Sequence, residues 1–308
     1  MEFGIQIRGD WNDVLAAGQW AEERGDIIAL AVPDHYLKRG NQPEEPAWDH
    51  LVHLAAVASR TSRIDLISLV SPVTFRHPGS LYKMAVTIDE ISGGRFTLGL
   101  GAGWMEEEFT LFGLPYPDLK TRMDLYEEAM AYLRAAITPG AHGFEGKHFQ
   151  LAEFDPHPHP NNLRLAGGGA GGPRARRIAA MFADEYNLYA IKPEKYATVV
   201  SETRDLAAEF GRDPDGIMWS SAGPGVAAKR ESDYRRMLES MAVLTGVDPD
   251  HIEQRWDERG YPHGSGGKSA EMIAALEDAG CRRFYPQMFS GEDDPSDFDL
   301  IFDAFMGR

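Results

Sequence analysis

His35 is the side chain in this 308-residue chain best suited to proton chemistry. It follows the apolar run Ile27 to Val32 in the stretch Pro33-Asp34-His35. A neutral imidazole can hydrogen-bond a cofactor ring, and an imidazolium can protonate one near pH 7. A histidine at a strand end can equally cap a loop. Asp34 either orients His35 or caps that loop. A second cluster is Gly167-Gly168-Gly169-Ala170-Gly171-Gly172, followed by Pro173 and a basic helix with Arg174, Arg176 and Arg177. Exposed N–H groups and the positive end of a helix favour an anion, so this stretch reads as a phosphate cradle. A glycine C-cap or flexible turn is the alternative. A third is Gly101-Ala102-Gly103-Trp104, where small residues let a flat ligand approach the backbone and Trp104 is either a pocket wall or a core aromatic.

Other patterns fit less well. Gly167, Gly169 and Gly172 satisfy G-x-G-x-x-G, but the next strand is followed by Ala190, Ile191 and Lys192 where a dinucleotide fold places an acid. Gly266-Gly267-Lys268-Ser269 resembles the end of a P-loop, yet Pro262 stands where its first glycine belongs. It reads as a helix entry capped by Ser265 or Ser269. His142, His148, His157 and His159 are read as parts of a structural connector, with no carboxylate or cysteine set completing a coordination pattern, so no metal is expected. Glu106-Glu107-Glu108 suits the first turn of a helix before it suits general-base catalysis.

The positioning elements alternate. Strands are predicted at Glu2–Arg8, Ile27–Val32, Ile64–Val70, Arg95–Leu100, Leu163–Ala166, Glu185–Tyr189, Ile217–Ser221 and Arg283–Met288. Ser71 and Pro72 end the third. Between the strands, apolar residues recur at helical spacing, as with Trp48, Leu51, Val52, Leu54 and Ala55 in a helix from about Glu45 to Ser59. Eight such units predict a (β/α)8 TIM barrel occupying residues 1–308 as one domain. Insertions are expected near 140–162, hairpin-like, and near 246–267, an irregular excursion before the last unit. In such a barrel the strand C-terminal ends share one rim, which would gather Pro33-Asp34-His35, Ser71-Pro72, Ala102-Gly103-Trp104, Gly167 to Gly172 and Gln287.

The run SGGRFTLGLGAGWMEEEFTLFG, Ser92 to Gly113, resembles the luciferase-like family of flavin and deazaflavin (coenzyme F420) oxidoreductases. The likeness extends through AVPDHYL, SPVTFRHPGSLYKMAVTIDE and LAGGGAGGPRARRIAAMFADEYN, covering most of the first 190 residues. FRHP and GAGW are similar to the F420-dependent subgroup. The resemblance implies an enzyme moving a hydride between F420 and a small-molecule substrate, with an FMN-dependent monooxygenase or a non-catalytic flavin-binding barrel as alternatives. It implies that His35 faces the redox ring and acts catalytically. It further implies a bulge at Val70 and Ser71 beneath the ring with a cis peptide at Leu69–Val70. Ala102, Gly103 and Trp104 would line the ring, and Gly167, Gly168, Gly169, Ala170 and Gly171 would hold the phosphate. Trp104 and Arg39 stand where relatives acting on glucose 6-phosphate show a glutamate and a tryptophan, which argues against that substrate. A homodimer is also implied, through apolar helices carrying Trp48 or Leu81 with Met84.

Composition narrows the partners. The net charge is −17 and the pI near 5.0, so neither nucleic acid nor an anionic membrane is an expected partner. No apolar run of about 20 residues is present, and no signal-peptide pattern. The one cysteine, Cys281, cannot form an internal disulfide and reads as buried. Cytoplasmic location is expected.

Overall fold

The computed structural model describes residues 1–37, 47–189, 191–289 and 295–308. Arg39, Ala190 and the predicted helix start at Glu45 lie outside the described residues. The chain begins with β1 (Glu2–Arg8), α1 (Trp11–Arg24), β2 (Ile27–Val32), α2 (His50–Ala58), β3 (Asp65–Pro72), α3 (Pro78–Ser92) and β4 (Phe96–Gly101). After α4 (Glu106–Phe112) and α5 (Leu119–Ile137), β5 (His142–Glu145) and β6 (Gln150–Phe154) form the expected antiparallel hairpin. Next come β7 (Arg164–Gly169), α6 (Pro173–Phe182), β8 (Glu185–Tyr189), α7 (Pro193–Glu209) and β9 (Met218–Pro224). The chain finishes with β10 (Ala227–Ala228), α8 (Glu231–Thr245), α9 (Pro249–Arg259), β11 (Gly264–Ser265), α10 (Lys268–Asp278), β12 (Arg283–Phe289) and α11 (Pro295–Phe305).

Eight strands close into a barrel in the order β1-β12-β9-β8-β7-β4-β3-β2. Each neighbouring pair is parallel, and β1 pairs with both β2 and β12, which removes any free edge. With helices outside and side chains packed within, both faces of a strand are covered. β4 is accordingly buried at every position. The (β/α)8 expectation therefore holds.

Local chemistry explains the element ends. Asp10 caps α1 by accepting from the N–H groups of Asn12 and Asp13, with a reciprocal bond from its own N–H to Asp13. α3 starts on Pro78 and ends at Gly93, whose φ of 68° is left-handed and suits glycine. Arg95 of the SGGR run then reaches back to the carbonyls of Thr61 at 2.8 Å, Ile64 at 2.5 Å and Ser92 at 2.8 Å. That guanidinium ties the ends of α2 and α3 to the barrel base, so the motif is structural.

Polar groups plug the strand N-terminal end of the barrel. Buried Glu185 accepts from Ser220 Oγ at 2.6 Å and Tyr285 Oη at 3.1 Å, and Arg283 lies 3.5 Å away. Gly4 makes room for this plug, since a Cβ there would sit 2.5 Å from Tyr285 Cε1. Cys281 is buried as expected, and burial pushes its thiol up to about 11.

Several expectations need correction. The excursion at 246–267 contains the helix α9, framed by the Asp248 cap and by Gly246 and Gly260 at left-handed φ. Only Ile252 of α9 is buried, so the helix lacks the apolar period that would announce it. Neither Ser265 nor Ser269 caps α10. Ser265 bonds to Glu231, Ser269 donates to the Ala304 carbonyl, and the cap position is Gly267. Leu81 belongs to the core, whereas Trp48, Val52 and Met84 are exposed. Asp155, left out of the histidine reading, stands beside His157 and His159 and supplies a carboxylate to that pair.

Candidate active site

The strand C-terminal rim brings His35, Val70, Ser71, the Ala102–Trp104 turn and the glycine stretch around one opening. His35 follows β2 and is largely buried. Its ring meets Trp104 edge-on, with centroids 5.8 Å apart at 77°. Trp104 is 64% exposed, so it is a rim aromatic rather than a core one.

His35 is not oriented by Asp34. Its Nδ1 lies 2.9 Å from Oε1 of Glu108, a side chain only 1% exposed in the first turn of α4. The same oxygen accepts from the N–H of Tyr36 at 2.8 Å and of Leu37 at 3.2 Å. The acidic run does occupy the first turn of α4 as expected, with Glu106 and Glu107 exposed, while Glu108 turns inward to His35. A carboxylate held by two N–H groups can only accept from the ring, so Nδ1 carries the proton and Nε2 is left with its lone pair for a ligand. Burial, and next the charge of Arg8, lower the pKa of His35 below its ordinary 6.5, against the opposing pull of Glu108 and Asp34. The neutral ring is thereby favoured.

Asp34 instead pins the rim together. Its carboxylate is fully buried, accepts from Ser71 Oγ at 2.5 Å and Arg76 Nη1 at 2.5 Å, and lies 3.0 Å from His50 Nδ1. Burial opposes its ionisation, but His50 and Arg76 outweigh that and hold its carboxyl well below the usual carboxylate range. Arg76 of the FRHP run spans from Asp34 to Asp49, the N-cap of α2. The Ser71 hydroxyl proton is therefore spent on Asp34. Asp34 is turned toward Ser71 of β3 and Arg76 rather than bonded to His35.

At Val70 the pairing of β3 with β4 shifts register between Ser68 and Ser71, and the Leu69–Val70 peptide is cis, as expected. The valine side chain fills space that three glycines vacate. A Cβ at Gly99, Gly101 or Gly168 would sit 2.8–2.9 Å from a Val70 methyl. From below, Gln6 Nε2 donates to the Leu69 carbonyl at 2.7 Å. Gln287 donates to Gln6 at 2.5 Å, and the Tyr189 hydroxyl donates to Gln287 at 3.2 Å. The bulge is thus a braced platform. Gln6 escaped the sequence reading because a polar residue inside the alternation of β1 carries no mark of where it points.

The glycine stretch divides in two. Gly167, Gly168 and Gly169 belong to β7, so the loop proper is Ala170 to Gly172. The strand glycines are there for space: Gly168 faces Val70, and a Cβ at Gly167 would sit 2.7 Å from the Tyr126 hydroxyl oxygen. Gly171 has φ 73°, and α6 starts on Gly172 and Pro173 with no side-chain cap. Its first N–H groups are accordingly open to an anion. The arginines are not part of this cradle. Arg174 pairs with Asp124 and Glu127, Arg177 with Glu127, and Arg176 with Glu202, all carboxylates on the flanking helices.

These residues fit a phosphate-bearing planar cofactor on three counts: a braced platform at Val70, a small-residue wall at Ala102 and Gly103, and an uncapped helix start. The family model for luciferase-like monooxygenases matches residues 4–294. The chain belongs to the luciferase-like monooxygenase family. Its luciferase-like relatives include the pyrimidine monooxygenase RutA of Bradyrhizobium sp., 27% identical over 84% of this chain and 72% of that one. They also include an F420-dependent glucose-6-phosphate dehydrogenase of Amycolatopsis mediterranei, 28% identical over 79% of this chain and 80% of that one. A solved F420-dependent secondary alcohol dehydrogenase shares the luciferase-like fold with a TM-score of 0.79, 18% identity, and coverage of 99% and 98%. The enzyme class is oxidoreductase. Among the described residues no helix is long and apolar enough to cross a membrane.

Proposed function

We propose that this luciferase-like enzyme binds coenzyme F420 at the barrel rim and transfers a hydride between it and a small organic alcohol or carbonyl compound. The observation that carries the reading is the His35–Glu108 pair. Interconverting an alcohol and a carbonyl moves a proton as well as a hydride, and His35 Nε2 suits the proton. With Nδ1–H fixed on Glu108, Nε2 takes the hydroxyl proton as the alcohol carbon loses its hydride, and returns it in the reverse direction. The deazaflavin supplies the carbon that accepts or returns the hydride. The chain's part is placement: Val70 supports the ring, Trp104 borders the entrance, and the Ala170–Gly172 loop with the start of α6 holds the phosphate.

The F420-dependent relative from Amycolatopsis supports this choice. The pyrimidine monooxygenase relative, at nearly the same identity, favours a second reading in which the same rim holds FMN for oxygen insertion. In either case we infer a cytoplasmic homodimer, with exposed Trp48, Val52 and Met84 covered by a second copy.

The reading is tested by loading the protein with F420 and following its absorbance while alcohols are added. Bleaching by the wild type, with His35→Ala still binding F420 but losing turnover, supports it. Equal turnover by His35→Ala removes His35 from the chemistry.

A further inference from the structure

The connector from β6 to β7 reads Asp155-Pro156-His157-Pro158-His159-Pro160. It joins β6 to β7 and shares no contact with the residues described around His35. Asp155 Oδ2 is 3.5 Å from His157 Nε2 and 3.3 Å from His159 Nε2, and the three atoms all lie within 4.8 Å of one another. A tetrahedral zinc ion with bonds of about 2.0–2.1 Å needs ligand atoms about 3.3–3.4 Å apart. The two distances from Asp155 Oδ2 are close to that spacing, and the third pair lies within 4.8 Å. The imidazole centroids stand 4.4 Å apart, and both rings turn Nε2 toward the same carboxylate oxygen.

The loop is held in this form by groups outside the triad. Asp155 Oδ1 accepts from the Gly140 N–H at 3.1 Å, which leaves Oδ2 for a ligand. The Tyr82 hydroxyl of α3 donates to the carbonyls of Pro156 and Pro158 at 3.1 and 3.0 Å, and Lys83 Nζ donates to that of His157 at 2.5 Å. Pro156 and Pro158 restrict the backbone between the ligands, and Pro160 the residue after them. Little ordering is left for a metal to impose, which favours binding. The three side chains are 36–68% exposed, so an ion reaches them without any opening.

We propose that Asp155, His157 and His159 form a divalent-metal site whose best-fitting occupant is zinc, with water completing the coordination. Two imidazoles and one carboxylate select a borderline ion over magnesium or calcium, which prefer all-oxygen sets. All three ligands lie on the connector, so the ion would be a structural clip that stiffens it where Tyr82 and Lys83 of α3 hold its backbone.

The test is equilibrium dialysis of the metal-stripped full chain against zinc chloride at about 10 µM, followed by metal analysis. One zinc per wild-type chain is expected, with affinity falling at least about tenfold in both His157→Ala and His159→Ala. His142→Ala, whose ring bonds to the Pro139 carbonyl outside the cluster, should keep the wild-type stoichiometry. Matching circular dichroism verifies that each variant is folded. No zinc on the wild type, or binding unchanged in both cluster variants, overturns the proposal.

Discussion

Glu108 Oε1 lies 2.9 Å from His35 Nδ1 across 73 residues of sequence, joining the start of α4 to the end of β2. A general base whose tautomer is fixed by a buried carboxylate is sensitive to that carboxylate even though it never touches substrate. Glu108→Gln should therefore lower kcat by about 10–100-fold while leaving the F420 dissociation constant nearly unchanged. Steady-state kinetics beside a binding titration separate the two. Weakened binding with unaltered kcat would place Glu108 in cofactor binding instead.

The pH profile follows from the same pair. In the proposed reaction alcohol oxidation needs neutral His35, so activity should fall as pH drops through its pKa, which burial and Arg8 hold below 6.5. The rate should persist down to pH 6.5 and decline only at more acidic values. Glu108 stabilises the imidazolium, so Glu108→Gln should move the acidic limb lower still. An acidic limb above 6.5 in the wild type would contradict the burial argument.

Much of this was readable in the sequence. The strand order followed from apolar runs separated by helical periods, and the rim composition followed from which residues end those runs. The Leu69–Val70 bulge came from the family likeness, and the uncapped start of α6 from the glycine run before Pro173. What escaped was direction. Glu106, Glu107 and Glu108 are identical in type and consecutive, and only the packing of α4 against the end of β2 turns the third inward. Asp34 and His35 are adjacent, yet one bonds to Ser71 and Arg76 and the other to Glu108. Arg174, Arg176 and Arg177 looked like phosphate ligands until their carboxylate partners on α5 and α7 were visible.

Asp34→Asn tests the rim anchor. It removes the buried carboxylate that pairs with Arg76, and breaking such a buried pair costs about 3–5 kcal/mol. Because the Asp34 carboxyl is depressed below its ordinary 3.8 in the folded protein, its contribution is complete above that pH and is lost as pH falls through the folded value. Urea unfolding at pH 7 should show the full loss. A change near zero would make the network dispensable.

Gly168→Ala tests the platform. The added methyl would lie 2.8 and 3.0 Å from the two Val70 methyls, a clash worth about 1–3 kcal/mol. Val70→Ala removes those methyls, so the double variant should be more stable than the sum of the single losses by about 0.5–3 kcal/mol. Strict additivity in denaturant unfolding would mean that the two residues do not meet.

The central claim is that this rim is built for a deazaflavin. Fluorescence titration of the purified apoprotein, separately with F420 and FMN, addresses it most directly. The account predicts saturable, tight F420 binding and much weaker FMN binding. Tight FMN binding with weak F420 binding, or no binding of either, would contradict it.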